Sequence, residues 1–294
     1  MKKRITLLGA LIASATLGAF AQAVTVSFVD GQAMQGSGST WKKLAEGDAV
    51  DPAASVKIAT GGYLELRSGG ATLSLSQPGT YALREILASG RASRTGAAQA
   101  ALSKYISALS AKGTANASTV AGVRGAEQGK DEGADWVSND TDVYLSAAKD
   151  YIASGDYAAA EEQLAKAQDK ATDEKNEVEF YLAEAAALRG DARAAHQRLA
   201  TLKITGSESW APDYELLKAR LLVDSFAPQA AVELLLADQA RLSTDSGRAP
   251  LYYFILAIAY KDLGEKAKSK DCAGRLKSIA GDSELAKAAQ TLDQ

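Results

Sequence analysis

Residues 144–167 read YLSAAKDYIASGDYAAAEEQLAKA, two alanine-rich stretches on either side of the turn Gly155-Asp156. Within each stretch, small and large apolar residues recur every three or four positions, which is the spacing of one face of an α-helix. Alanine lets two helix backbones approach closely, and the tyrosine and leucine side chains beside it fill the remaining space. The stretch therefore predicts a tightly packed pair of antiparallel helices joined by a short turn.

The same pattern occurs four times in the second half of the chain. Turns at Gly190-Asp191 and Gly264-Glu265 have the same form as the first one, and Pro228 stands at the turn of the remaining copy, where it can open a helix. The copies begin near residues 141, 176, 212 and 250. One such pair cannot bury its apolar stripe alone, so neighbouring pairs are expected to stack, with a polar capping helix over Asp282–Asp293. An alanine-rich helical bundle is the alternative interpretation.

This period, and the positions of the alanine and aromatic residues within it, resemble the tetratricopeptide repeat (TPR) family. The resemblance implies an all-α solenoid over residues 141–294, with a concave surface that binds a peptide or protein and catalyses no reaction. In such repeats, fixed positions of the first helix of each pair line the concave surface. Carried over to this chain, those positions give the expected partner-binding groove: Leu145, Lys149, Ile152, Phe180, Glu184, Leu188, Leu216, Arg220, Val223, Phe254, Ile258 and Lys261.

The first half of the chain has the period-two alternation of β-strands. In the first such run, Val24, Val26 and Phe28 are expected to face one way, and Thr25 and Ser27 the other. Further alternating runs, separated by glycine-rich turns, are found at residues 56–58, 63–67, 73–75 and 81–83. The runs predict a small all-β domain, whose core is so limited that it needs support from a neighbouring element.

Residues 86–125 connect the two halves and contain five basic residues and no acidic one. One apolar stripe in this segment consists of Leu102, Tyr105, Ile106 and Leu109. The stripe predicts a helix at about 96–112, and residues 118–125 predict a further strand. The basic residues can form a patch for an anionic surface or a solvated face, and the sequence leaves both interpretations open. Residues 127–140 are predicted to be an acidic linker.

Several stretches of the first half resemble the FecR domain: Trp41–Asp48 (WKKLAEGD), Ser55–Thr60 (SVKIAT), Tyr63–Arg67 (YLELR), Gly70–Leu75 (GATLSL) and Thr119–Gly125 (TVAGVRG). The family implies a β-rich periplasmic module over residues 24–126, used for protein contact and cell-envelope signalling. In the iron-transport regulators of this family, the module follows an anti-sigma segment and a membrane helix. We expect neither here, and therefore expect the binding module without the transmembrane regulator role.

Residues 1–23 have the three parts of a signal peptide. Basic residues at positions 2–4 precede an apolar stretch, and Ala21-Gln22-Ala23 is a typical cleavage site. The sequence thus predicts export with Val24 as the first mature residue, to the periplasm or, as the alternative, into the medium. An uncleaved anchor helix is the other interpretation. No later stretch has the roughly 20 apolar residues that a transmembrane helix needs.

The chain has 294 residues, a net charge of −3, one histidine and one cysteine. A single cysteine excludes a disulfide framework and a cysteine-cluster metal site, and the acidic balance argues against nucleic-acid binding. His196 is expected to be a packed or a surface histidine, and Cys272 a small residue that packs between helices. Ser39-x-x-Lys42 and Ser146-x-x-Lys149 lack the other elements of a serine–lysine enzyme. We therefore expect a protein that is not an enzyme and that holds no cofactor and no metal.

Together these observations favour an exported α+β adaptor of two modules, an N-terminal all-β FecR-like domain and a C-terminal all-α TPR-like solenoid. The groove is expected to bind a protein or peptide partner in the cell envelope, while the β module docks to another envelope component. The alternative is a structural factor associated with peptidoglycan or the cell wall, bound through the basic segment. A hydrolase hidden in the β module is a third hypothesis, which the scattered charged residues there do not favour.

Overall fold

The computed structural model describes residues 23–69, 71–88, 105 and 140–290. These parts of the chain form an N-terminal all-β module and a C-terminal helical module, which confirms the β and helical regions predicted from the sequence. Four predictions lie outside the described residues: the signal peptide, the helix at 96–112 apart from Tyr105, the strand at 118–125 and the linker at 127–140 apart from Asp140.

The β module contains eight strands and one short helix among the described residues. In chain order these are β1 (Val24–Asp30), β2 (Ala33–Ser37), β3 (Thr40–Lys43), β4 (Ala49–Val50), β5 (Ser55–Ile58), β6 (Tyr63–Ser68), β7 (Ala71–Leu75), β8 (Gly79–Ala82) and α1 (Leu83–Ala88). The strands form two antiparallel sheets, a first sheet of order β4-β1-β6-β7 and a second sheet of order β3-β2-β5-β8.

Alternating apolar residues from both sheets fill the core of the β module. In β6, Leu64 and Leu66 are fully buried, whereas Glu65 and Arg67 between and after them face away from the core. Ile58 of β5 enters the same core from the second sheet. Burying one such aliphatic side chain stabilises the folded state by about 1.5–3 kcal/mol. The core therefore fixes which face of each strand points inward.

A β-bulge reverses the alternation in β1. The pairing of β1 with β6 shifts between Val26 and Phe28, so that Phe28 lies opposite Glu65 on the outer face of the first sheet. Val29 then lies opposite Leu64, on the core side. The prediction that Phe28 shares a face with Val26 is wrong, because an extra residue in one strand turns all later side chains to the other face. The bulge thereby presents an aromatic ring on the outside of the sheet.

Helices make up the second module. They are α2 (Asp140–Ser154), α3 (Tyr157–Lys170), α4 (Lys175–Arg189), α5 (Ala192–Thr201), α6 (Ala211–Asp224), α7 (Pro228–Ala237), α8 (Gln239–Leu242), α9 (Ala249–Asp262), α10 (Lys266–Ala280) and α11 (Glu284–Gln290). The pairs α2–α3, α4–α5, α6–α7 and α9–α10 form four helical hairpins, because each is joined by a short connection and packs along its length. The first helices of the hairpins begin one residue before the four repeat starts expected from the sequence.

Glycine residues make three of the four hairpin turns. Gly155, Gly190 and Gly264 have φ angles of 81°, 94° and 77°, which lie in the left-handed region that glycine adopts at little cost. Asp156 and Asp191 follow two of these glycines, and their carboxylates accept hydrogen bonds from the next helix at 3.1 and 3.0 Å. Such a cap stabilises a helix by about 1 kcal/mol. The Gly-Asp sequence therefore ends one helix and starts the next.

Tyr105 is the one described residue between Ala88 and Asp140. It is helical and half-buried, and it packs against the core of the helical module. Its hydroxyl donates a hydrogen bond to the Gly247 carbonyl at 2.9 Å. Burial, together with the nearby Asp245 carboxylate, raises the pKa of Tyr105 to about 12. The connecting segment is thus tied to the helical module at this point.

Candidate functional site

Most of the predicted groove residues lie inside the helical module. Eight of the twelve have buried side chains, namely Leu145, Ile152, Phe180, Glu184, Leu188, Leu216, Arg220 and Phe254. Lys149, Val223 and Ile258 are half-buried, and Lys261 is exposed. A buried side chain cannot touch a partner unless the core opens, so only the last four are accessible in this arrangement. Binding by the predicted groove stays a prediction that rests on these four residues.

Three charged groove residues occupy equivalent positions on α2, α4 and α6. The Lys149 ammonium lies 2.9 Å from a Glu177 oxygen. Glu184 and Arg220 are only 6% and 3% exposed, and the Arg220 guanidinium lies 3.6 Å from the Asp224 carboxylate. Within the part of the chain that the structure describes, one Glu184 oxygen and two Arg220 nitrogens have no hydrogen-bond partner. The helical module therefore contains buried ionisable groups whose hydrogen-bonding atoms are incompletely paired.

Desolvation decides the protonation state of this cluster. Burial is the largest cause that raises the pKa of Glu184 to about 8, and the Asp213 carboxylate is the second. Lys149 and Arg220 act in the opposite direction and lower this pKa. Burial also lowers the pKa of Arg220. A carboxylic acid whose pKa is raised in this way is neutral below about pH 8.

The third hairpin turn differs from the other three and contacts the β module. Phe226 occupies the position of the turn glycine, and it adopts a φ of 61°, which costs a residue with a side chain about 1–2 kcal/mol. Its ring packs against the core of the β module. Next to it, the hydroxyl groups of Ser225 and Ser76 lie 2.7 Å apart. The strained turn therefore places an aromatic ring and a hydroxyl where the two modules meet.

Helix α5 contacts the outer face of the first sheet. The Arg193 guanidinium lies 4.6 Å from the centre of the Phe28 ring, a cation–π contact that the β1 bulge makes possible. The rings of His196 and Tyr63 lie 5.6 Å apart. Burial raises the pKa of Tyr63 to about 12 and lowers the pKa of His196 to about 4. Of the two environments expected for His196, packed or surface, the half-buried ring has the packed one, and its aromatic neighbour belongs to the other module.

Replacing Phe226 by glycine or alanine separates turn strain from ring packing. Both substitutions remove the ring, but only glycine adopts the positive φ without strain, so Phe226→Gly is expected to be more stable than Phe226→Ala by about 1 kcal/mol. This order reverses the one found inside a helix. Urea denaturation of both variants measures it. Ala230 is a half-buried position within α7 and serves as the control. There, Ala230→Gly should be less stable than the wild-type protein, which has alanine at this position. Equal stability of the two Phe226 variants would show that the turn is unstrained.

A cleft of about 760 Å³ lies between the modules. Hydroxyl-bearing and charged residues of β1, β6 and β7 form one wall. Arg189, Asp191 and Arg193, from the α4–α5 turn and the start of α5, form the other. Arg189 is held by the Glu161 carboxylate at 2.8 Å. The cleft is thus polar and lined by both modules, which is a frequent location of ligand sites.

A second, smaller cavity of about 420 Å³ lies between α7, α9 and α10, and we call it the tyrosine groove. Tyr252, Tyr253 and Tyr260 of α9 line it, together with Leu236 at the end of α7. Leu236 is 44% exposed and so adds an accessible apolar side chain to the edge of the groove. Burial raises the pKa of Cys272, which also lines the groove, to about 11, so its thiol is unreactive at neutral pH.

Helix α10 forms a basic rim along the tyrosine groove. It carries five basic residues against one acidic residue, Asp271, in a chain whose net charge is −3. The Lys268 ammonium lies 5.2 Å from the centre of the Tyr260 ring, and the Arg275 guanidinium 5.9 Å from that of Tyr253. Lys268 is paired with the Glu265 carboxylate and Arg275 with the Asp271 carboxylate at 3.0 Å, so the net positive charge of the helix comes from the exposed Lys266, Lys270 and Lys277. The groove therefore combines an apolar floor with an edge formed by a helix of net positive charge.

Two kinds of site are absent from the residues that the structure describes. There, no group of three or more histidine, cysteine, aspartate or glutamate residues is arranged to hold a metal ion. None of the helices in the described ranges is both long enough and apolar enough to cross a membrane. The expected absence of catalysis and cofactors stays a prediction.

Sequence reasoning missed the residues that join the modules and those of the tyrosine groove. One signal was present for each: phenylalanine stands at position 226 where the other turns have glycine, and lysine is concentrated in residues 266–277. Comparison of the chain with protein-family models, with curated proteins and with solved structures finds no match in any of the three.

Proposed function

We propose that this protein is an exported periplasmic scaffold that binds a protein partner through its helical module. In this proposal the helical hairpins are TPR-like, and the FecR-like β module docks to a second component of the cell envelope. The observation that carries the proposal is the tyrosine groove with its basic rim. The groove expected from the sequence is mostly buried, so we propose that the last two hairpins form the binding surface instead.

The chemistry of the tyrosine groove selects one kind of partner. Its apolar floor can take aliphatic or aromatic side chains, and exposed Leu236 adds to that surface. The positive charge of α10 attracts carboxylates and repels lysine and arginine. An acidic segment with apolar side chains at helical or alternate spacing fits both features.

The β module has one sheet left for a second contact. The helical module faces the outer side of the first sheet through Phe28 and Tyr63. On the second sheet, Trp41 is accompanied by Lys57, whose ammonium lies 6.0 Å from the centre of the indole ring. This surface, formed by half-buried Trp41 and exposed Lys57, supports docking to another envelope component.

Export is supported by where the first strand begins. β1 starts at Val24, directly after the expected cleavage site, so removal of residues 1–23 leaves every strand of the β module intact. The cell-wall alternative depends on the basic segment, which lies outside the described residues, and nothing in the described part of the chain favours it over a scaffold.

A labelled model peptide tests the binding surface. The probe is a short fluorescent peptide with leucines on one helix face and glutamates on the other, and its counterpart carries lysines in place of the glutamates. Fluorescence anisotropy is expected to show binding of the acidic peptide only. The double substitution Lys268→Glu and Arg275→Glu should weaken that binding at least about tenfold, because it leaves α10 with three basic and three acidic residues and so removes its net positive charge.

The matched control is the double substitution Lys166→Glu and Lys170→Glu on exposed positions of α3, far from the tyrosine groove along the chain. It changes the net charge by the same amount and should leave binding unchanged. Replacing Leu236 by serine should weaken binding without a change of charge. Equal loss in the α3 control would mean non-specific attraction, and binding of the lysine peptide would contradict the proposed partner class.

A further inference from the structure

The outer face of the first sheet carries two adjacent rows of polar residues in the cleft between the modules. In the first row, Arg67 of β6 lies between Thr25 of β1 and Thr72 of β7. In the second row, Glu65 lies opposite Ser74 of β7 and contacts the hydroxyl of Ser27, the bulge residue of β1 that precedes Phe28. All six residues line the cleft of about 760 Å³. These six residues therefore give the sheet wall of the cleft one cationic and one anionic position, each beside two hydroxyl groups, and Glu46, which follows β3, adds a second carboxylate to the lining.

The spacing of the rows is set by the strand geometry. Arg67 and Glu65 are two residues apart on one strand, and strands rise about 3.3 Å per residue, so the rows lie about 7 Å apart. An extended dipeptide also spans about 7 Å between its amino and carboxyl ends. The two charged positions thus match the two ends of a ligand of that length.

The Glu65 and Arg67 side chains differ in the interactions that they already make within the protein. The Glu65 carboxylate accepts a hydrogen bond from the Ser27 hydroxyl at 2.7 Å, which orients it within its row. Arg67 is exposed, and no ion pair joins it to another described residue. On the opposite wall, Arg189 is paired with the Glu161 and Asp191 carboxylates at 2.8 and 3.6 Å, and Arg193 lies against the Phe28 ring. A carboxylate can therefore be bound at Arg67 without breaking an existing ion pair in the described structure.

We propose that this cleft binds a zwitterionic short peptide of about two residues. Its carboxylate lies against Arg67 and the Thr25 and Thr72 hydroxyls, and its ammonium group against Glu65 and the Ser27 and Ser74 hydroxyls. The α4–α5 turn covers the ligand from the helical side. This site is separate from the tyrosine groove and does not depend on the scaffold proposal.

Ligand variants test the site without altering the protein. The probe is the dipeptide Ala-Ala, titrated into the purified full chain and followed by the chemical shifts of the backbone amides. We expect saturable shifts at residues of β1, β6 and β7. N-acetyl-Ala-Ala and Ala-Ala amide each lack one charge and should bind at least about tenfold more weakly. No shift with Ala-Ala, or equal binding of the capped forms, overturns the proposal.

Protein variants then assign the ends. Arg67→Gln should weaken Ala-Ala binding about tenfold or more but leave the weak binding of Ala-Ala amide unchanged, because the amide lacks the carboxylate. Glu65→Gln should likewise weaken Ala-Ala binding but leave the weak binding of N-acetyl-Ala-Ala unchanged, because the acetylated form lacks the ammonium group. Arg84→Gln and Glu85→Gln, on exposed positions of α1, are the matched controls. Circular dichroism confirms that all variants are folded. If the α1 variants lose as much affinity as the sheet variants, the assignment to this cleft is wrong.

Discussion

The wild-type protein is expected to lose about 2–3 kcal/mol of folding stability between about pH 6 and pH 9, and the substitution Glu184→Gln should abolish this loss. In the folded protein, burial keeps this carboxyl protonated up to about pH 8. In the unfolded chain, the same group releases its proton near its ordinary pKa of 4.5. Between the two values the folded state binds more protons, so raising the pH favours unfolding.

The sign of the effect follows from the raised pKa. The contribution of Glu184 to stability is fully present below about pH 4.5 and is lost as the pH rises through about 8, at about 1.4 kcal/mol per pH unit. Glutamine has nearly the same shape and does not titrate. The variant and the wild type should therefore be similar in stability near pH 5, and the variant should be the more stable protein near pH 9.

Urea denaturation at several pH values between about 5 and 9 measures this difference. Glu233→Gln, which changes an exposed carboxylate on α7, is the matched control and should follow the wild-type profile. If Glu184→Gln also follows the wild-type profile, then Glu184 is ionised in the folded protein and is stabilised by Lys149 and Arg220. That result would contradict the prediction that Glu184 is a buried, neutral carboxylic acid.

The wild-type protein is expected to lose about 2–3 kcal/mol of folding stability as the pH falls from about 7 to about 4, and the substitution His196→Gln should remove this loss. Burial against the β module lowers the pKa of His196 to about 4, whereas the unfolded chain binds the proton near pH 6.5. The unfolded state therefore holds more protons in this range. The stabilising contribution is present above about pH 6.5 and is lost as the pH falls through about 4.

The groups around His196 decide whether this effect appears. The ring faces Tyr63 on β6, and it forms a hydrogen bond with the Leu221 backbone on α6, which partly opposes the lowering of its pKa. Arg193 on the same helix and Asp191 before it lie close enough to Tyr63 to affect the pKa of that residue. Protonation would place a cation between the two modules, beside Arg193.

Denaturation profiles of the wild type and of His196→Gln, measured between about pH 4 and pH 7, compare the two proteins. Gln197→Asn, at the exposed neighbouring position, is a control for local helix propensity and should keep the wild-type slope. Parallel profiles for the wild type and His196→Gln would mean that the ring is hydrated, and that the modules are less closely packed at this point than the structure indicates.

The helical hairpins were predictable because their signals are local. The spacing of alanine and aromatic residues around Gly155 reflects the helical period, and the glycine–aspartate turn reflects the needs of a helix end and a helix start. None of these features depends on distant parts of the chain. The first helices consequently begin one residue from the expected positions.

The predicted groove could not be judged from the sequence because burial depends on neighbouring hairpins. Lys149, Glu184 and Arg220 do share one repeat position, as the periodicity implies. Periodicity cannot tell how closely the next hairpin packs, and Glu184 and Arg220 turn out to be almost completely buried. The accessible apolar surface lies instead at the tyrosine groove, which forms only where three helices meet.

The sequence by itself determined the two classes of secondary structure, the four hairpins and their turns, since each depends on residues within a few positions of one another. Only the tertiary structure decided which side chains are exposed and how the modules meet. A one-residue bulge turns Phe28 outward to Arg193, and Phe226 reaches a core formed some 150 residues earlier in the chain. These contacts join residues that are distant in sequence, and local periodicity carries no information about such pairs.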